Sequence, residues 1–240
     1  HLRKEIHGMR DFSKKNGHIL IVGYHPVRTQ EIINLILGDK FREKRMILVA
    51  TDDDVEHPFL NVDGVEFCRV DSLKDATSLS RMGLAAAEKI IVDNDDDNVS
   101  FVLSAHYAAM NPNAHISTHI ADVVIAENLQ NQYANVEVVV DNSEELMVRT
   151  MQDNGTSRTV SQLLRADEGQ TFYVLKYNVL PGDTFAVLRE RLNHKRAILI
   201  GVAYDKMGRS IVLNPDSSTV LEEGTTVYLH YISDGRVLSL

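Results

Sequence analysis

HILIVGY, His18–Tyr24, is a short apolar run that ends in a glycine. It reads as the first strand of an open α/β sheet, because several later apolar runs in the chain also finish in a glycine or a carboxylate. In such a sheet the ligand lies beyond the carboxyl ends of the strands, so function depends on the residues just after Gly23. Here the loop is Tyr24-His25-Pro26-Val27-Arg28, which turns the glycine-rich G-x-G-x-x-G fingerprint into G-x-H-x-x-R and keeps only its first glycine.

Outward from this run the order of elements is regular. Strands are expected at Ile19–Val22, Arg45–Ala50, Val65–Val70, Lys89–Val92, His115–Thr118 and Val136–Val140. Helices are expected near Arg28–Leu37, Asp71–Met82, Asp97–Met110 and Ala121–Tyr133, with a turn through His57–Leu60. The strands are continuous apolar runs rather than alternating ones, as a parallel sheet covered on both faces requires. The pattern predicts a doubly wound, mostly parallel, Rossmann-like α/β sheet. Asp71 and Asp97 read as helix caps, and Gly83 as a helix end that tolerates positive φ.

After Val140 the spacing turns helical, with Leu146, Met147 and Met151, then Val160, Leu163 and Leu164, split by Asp153-Asn154-Gly155. This predicts a helical crossover that packs on a partner, a symmetric copy being the simplest. From Gly169 onward Thr171–Tyr177, Ala197–Val202, Ser210–Leu213 and Thr226–Tyr231 read as strands around a helix at Phe185–Leu192, a small antiparallel α+β lobe. The divisions expected are a linker at 1–16, a sheet domain at 17–141, the crossover at 142–168 and the lobe at 169–240.

The composition excludes several classes. The 34 acidic against 25 basic residues, net charge -9, make a surface that nucleic acid and anionic lipid headgroups avoid and metal cations do not. No apolar run reaches the roughly 18 residues of a membrane span, so this segment inserts into no bilayer directly, and no signal peptide opens it. The single cysteine, Cys68, lies inside VEFCRV and reads as a buried thiol in a reducing compartment. Because the chain starts at His1 and first reaches a methionine at Met9, a fragment or excised part of a longer protein is expected.

The strand ends gather the chemistry: Gly23 and His25, Asp52 to Asp54, Asp71, the run Asp93-Asn94-Asp95-Asp96-Asp97, then His119 and Asp122. One reading lays an adenine nucleotide across this rim. Asp52 would accept from a ribose hydroxyl, backbone amides after Gly23 would take the phosphates, and Arg28 would supply the compensating charge. The other binds a divalent cation, Ca²⁺ first, through Asp93, Asp95 or Asp96 with His119 and Asp122 nearby; a histidine ligand would shift preference toward Mn²⁺, Co²⁺ or Zn²⁺. Against both stands the plain reading of the aspartates as solvated helix caps and of His119 as a structural histidine. His115 and His119 share a strand face roughly 13 Å apart, too far for one metal. A nucleophile elbow, HExxH, a Walker lysine and CxxC are all missing, so a non-enzymatic binding module is expected.

Taken together, GHILIVGY, MILVATD, FCRVDSLKDATSLSRMGLAAAEKIIVDNDDD, YNVLPGDTFAVLRERL and VLEEGTTVYLHY resemble the RCK (regulator of potassium conductance) domain family, which is related to the Trk-type ligand-binding subunits. The resemblance runs from about Gly17 to Tyr231. It implies a regulatory domain on the cytoplasmic side of the cell membrane. That domain would be joined to its own transmembrane potassium-channel pore, dimerising and assembling in a tetrameric channel with an octameric gating ring. It makes His1–Lys15 the end of the pore linker, Met9 an internal start, and Ser143–Leu164 the subunit-locking helices. It carries nucleotide contacts (NAD, ATP or ADP) onto Gly23, Asp52 and Asp71, with His25 and Arg28 replacing the later glycines. It also carries a calcium carboxylate onto Asp93, with His119 at the fifth-strand position and Asp96 or Asp122 as substitutes. Two other classes are weighed: a peripheral nucleotide-sensing subunit of a Trk/Ktr-type transporter or antiporter, and an NAD-dependent oxidoreductase.

Overall fold

The computed structural model describes residues 2–240; His1, the first residue of the expected linker, lies outside them. The chain forms two compact units, the first running to Ile33 and from Glu43 to Asn142, the second comprising Asn34–Arg42 and Ser143–Leu240. The crossover is thus grouped with the C-terminal lobe.

In the first unit β1 (Ile19–Val22), β2 (Ile47–Thr51), β3 (Val65–Arg69), β4 (Lys89–Val92), β5 (His115–His119) and β6 (Val136–Val139) form one sheet in the order β3-β2-β1-β4-β5-β6. Every pairing is parallel. All five residues of β2 are buried, so both faces of the sheet are covered there, which is why its sequence shows no alternation. The expected doubly wound sheet is therefore found, with its reversal of strand order between β1 and β4. Leu20, Val22, Leu48, Cys68, Ile90, Val92 and Ile116 lie in its core with Leu103, Tyr107 and Leu129 from the helices. Cys68 is free and buried as expected, and burial pushes its thiol pKa up.

Two expected caps move. The third helix, α3, is Ala76–Arg81, after α1 (Leu2–Ile6) and α2 (Arg28–Gly38), and its N-cap is Asp75 rather than Asp71. Ser72 Oγ accepts the Lys74 N–H at 3.1 Å, a local turn that competes with helix, and the Asp75 carboxylate then takes the Ser78 N–H at 2.9 Å. The next helix, α4 (Asp97–Met110), is capped by Asp96, whose Oδ1 accepts from Asn98 and Val99 N–H, leaving Asp97 as the first helical residue. Gly83 does end α3, at φ 66°.

The described part of the expected linker is packed against the sheet. The Arg69 N–H of edge strand β3 donates to the Gly8 carbonyl at 2.8 Å, Arg10 pairs with Glu66 at 2.6 Å, and Phe12 is 2% exposed. The Arg81 guanidinium donates to the carbonyls of both Gly8 and Arg69, tying this segment to β3 and α3. The apolar residue at position 12 was the available sequence signal.

The second unit holds α6 (Ser143–Gln152) and α7 (Thr156–Leu163), which come after α5 (Val123–Gln132), then β7 (Thr171–Asn178), α8 (Phe185–His194), β8 (Ile198–Ala203), β9 (Val212–Leu213) and β10 (Thr226–Ser233). Its four-stranded antiparallel sheet has the order β7-β10-β8-β9. One face packs Tyr173, Leu199, Val227, Leu229 and Tyr231 on Phe185, Leu188 and Leu192 of α8. The strand expected at Ser210–Leu213 shortens to two residues because Asp205 captures Ser210, its carboxylate accepting the Ser210 N–H at 2.7 Å and the hydroxyl as well. Those bonds hold the Asp205 carboxyl down at about 2.

Candidate ligand site at the carboxyl rim

The change of strand order places the ends of β1 and β4 side by side, where an α/β sheet opens its crevice. Gly23 lies at that junction with φ 106°, and a Cβ there would sit 2.1 Å from the Asp93 carbonyl oxygen. The glycine is thus explained by the close pass of the β4 backbone. Pro26 lies just before α2, where a missing N–H is tolerated, and the Thr29 hydroxyl accepts the His25 N–H at 2.9 Å.

Arg28, the first residue of α2, turns back across this junction. Its Nε donates to both Asp93 carboxylate oxygens at 3.0 Å, and its Nη2 reaches Asp93 at 3.0 Å and Asp95 at 2.9 Å. His25 Nε2 donates to the Asp93 carbonyl at 3.3 Å and stands 3.9 Å from the carboxylate. The Asp93 side chain is only 13% exposed against 43% for Arg28, so Asp93 is the partner that depends on the pairing. Hydrogen bonding to Asp93 holds the Arg28 guanidinium above its ordinary pKa.

Asp52 and Asp71, beyond the ends of β2 and β3, are exposed and make no hydrogen bond or ion pair among the described residues. Beside Asp52, Asp53 is bound into a local turn with Thr51. Burial first, and the Asp52 charge second, raise the pKa of Tyr107, whose hydroxyl donates to the Leu73 carbonyl at 2.8 Å.

The residues expected to bind a cation are differently engaged. Asp96 and Asp122 are helix caps, Asp122 accepting from Val124 and Ile125 N–H at the start of α5. Asp93 is held by Arg28, and His119 is exposed at the end of β5. Among the described residues no group of three or more His, Cys, Asp or Glu side chains gathers to hold a metal. The cation set is therefore not assembled as expected, because N-capping and the Arg28 pair take its carboxylates. Unanticipated from the sequence were the Arg28–Asp93 pair itself and Asp97, which accepts from Ala121 and Asp122 N–H and so ties α4 to the loop before α5. A lone arginine after β1 facing an acidic run after the adjacent β4 was the signal for the first.

The two units, a doubly wound parallel sheet and a small antiparallel lobe, have the architecture the motifs suggested. In structure the chain matches the human SLO3 gating ring with a TM-score of 0.60 at 12% identity, covering 90% of this chain and 44% of that one. In sequence it is 24% identical over 232 residues to the ion channel CASTOR of Lotus japonicus, covering 89% of this chain and 27% of that relative. The family model for Castor and Pollux, part of a voltage-gated ion channel, matches residues 140–237. The GsuK channel bound to NAD matches at 18% identity over 91% of this chain and 36% of that one, with a TM-score of 0.43, too loose to bear on what this chain binds. The curated relative is an ion channel, and this chain spans about a quarter of its length. No helix among the described residues is long and apolar enough to cross a membrane.

Proposed function

We propose that this chain is the ligand-sensing regulatory domain of a potassium channel, acting on the cytoplasmic side of the membrane without catalysing a reaction. Its ligand is an adenine nucleotide (NAD, ADP or ATP) lying across the rim of the first unit. The observation that carries the ligand assignment is the pair of unpartnered carboxylates, Asp52 beyond β2, the neighbour of β1, and Asp71 beyond the next strand, β3, on the rim that holds the β1/β4 junction. Asp52 accepts from ribose hydroxyls, Asp71 stands next along the rim, and Arg28 meets the phosphates. A ligand that favours one state of a multi-subunit ring by a few kcal/mol is enough to shift the pore, since identical subunits multiply the bias.

Assembly is assigned to the crossover. Neither α6 nor α7 buries a residue within the chain, while Met147, Val148, Met151 and Leu164 are exposed, Met151 at 72%. Short helices with no buried face are marginal in water, and a second copy covering that face supplies what they lack. Homodimers of this kind would build the octameric ring of a tetrameric channel.

Currents through the full-length protein in inside-out patches test the reading. Open probability is expected to change when ADP or NAD⁺ is applied to the cytoplasmic face and to lose that response in Asp52→Ala. Nucleotide-independent currents in the parent protein would contradict it.

A further inference from the structure

The place where a nucleotide phosphate would meet the sheet is already occupied by the chain's own carboxylate. Arg28 presents Nε and Nη2, one edge of its guanidinium fork, to Asp93, with all the bonds at 3.0 Å. Bidentate recognition of phosphate uses the same kind of donor edge. Asp95, 74% exposed, adds little to the pair, whereas Asp93 is largely withdrawn from water and gains more from it.

We propose that the Arg28–Asp93 ion pair is a built-in competitor for the phosphate of the ligand, a latch across the β1/β4 junction that a nucleotide must open and that sets its affinity. This rests on the nucleotide reading of the rim and adds its regulation. An anion that draws Arg28 away leaves Asp93 with His25 as its nearest remaining donor. The loop carrying Asp93 leads directly into α4, whose Asp97 holds the backbone before α5. Opening the latch therefore removes the side-chain tie between the start of α2 and the β4–α4 connection, and the cost of opening is subtracted from nucleotide affinity.

The sign of one substitution separates this from other roles for Asp93. If the carboxylate ligated a cation required by the ligand, or served the ligand directly, neutralising it would weaken binding. As a competitor, its neutralisation tightens binding. Calorimetric titration of the purified chain with ADP and with NAD⁺, in the presence of a chelator, is expected to show Asp93→Asn binding about tenfold more tightly than wild type, equivalent to about 1.4 kcal/mol. Arg28→Gln is expected to bind at least tenfold more weakly. Melting curves run in parallel report folding, and Asp93→Ser replaces Asp93→Asn if the latter unfolds. Unchanged or weaker binding in the neutralised variant, with wild type still binding, overturns the latch and leaves the nucleotide reading standing. No nucleotide binding by either wild type or the neutralised variant overturns both.

Discussion

Replacing Gly23 by alanine tests the geometry on which the rim depends. Two costs add. The backbone stands at φ 106°, outside the regions an L-residue adopts readily, which costs about 1–2 kcal/mol. The new methyl would also meet the Asp93 carbonyl oxygen at 2.1 Å, when ordinary C···O contacts begin near 3.3 Å, so the two backbones must part by about 1.2 Å. Both are pinned: the Gly23 N–H donates to the Ala50 carbonyl at 2.8 Å and the Asp93 N–H to the Val22 carbonyl at 2.9 Å. Forcing them apart adds about 1–3 kcal/mol of overpacking, for a total of about 2–5 kcal/mol. Gly64→Ala is the control, because φ is +76° there and nothing lies within 4 Å of its would-be Cβ, so only the backbone cost applies. Urea unfolding monitored by circular dichroism is expected to show Gly23→Ala more destabilised than Gly64→Ala by at least about 1 kcal/mol. Equal losses would refute the close approach of the β1 and β4 ends.

His18 is buried, its Nε2 donating to the Met82 carbonyl at 3.1 Å while Nδ1 has no partner, and burial lowers its pKa; His57 is shifted the same way, also by burial. Burial therefore favours the neutral form of both in the native state relative to the unfolded chain, which titrates near 6.5, so the stability they contribute is present above that pH and is lost as pH falls below it. Unfolding free energy measured from pH 7.5 to 5 should fall, and the fall should be shallower in His18→Gln/His57→Gln; an unchanged slope contradicts the assignment. In the second unit Asp183 is fully buried, accepting from Tyr177 Oη at 2.7 Å and the Leu180 N–H at 2.8 Å. Arg191, its ion-pair partner at 3.0 Å, is 40% exposed and can return to water, so Asp183→Ala is expected to cost about 2–3 kcal/mol rather than the full cost of a buried charge left alone. A loss below about 1 kcal/mol in denaturant titration would count against that network. Met147→Asp/Met151→Asp is expected to convert a dimer into monomer in sedimentation velocity without lowering the melting temperature by more than a few degrees; a dimer that survives would remove the crossover from the interface.

The parallel sheet was legible because continuous apolar runs such as Ile19–Val22 and Ile47–Val49 have only one stable setting, buried on both faces. The rim was legible in part, since strand ends come with the strands, and Gly23, Asp52 and Asp71 fall there by position alone. What the aspartates do was not. Asp75 and Asp96 are caps while Asp71 and Asp97 are not, a matter of one to four residues decided by competing local turns. The Arg28–Asp93 pair joins residues 65 apart, and no local pattern ties two loops that meet only after β1 and β4 are paired. Packing of Gly8 to Phe12 on the sheet was obscured by the charged residues around them, which read as linker.

Adenine-nucleotide binding at the rim beside Gly23 is what the proposed function stands or falls on. Calorimetric titration of the purified chain with ADP, NAD⁺ and Ca²⁺, on wild type and Asp52→Ala, tests it most directly. Saturable nucleotide binding that is lost or weakened at least tenfold in Asp52→Ala is the predicted result; saturable Ca²⁺ binding with no nucleotide binding at all would contradict it.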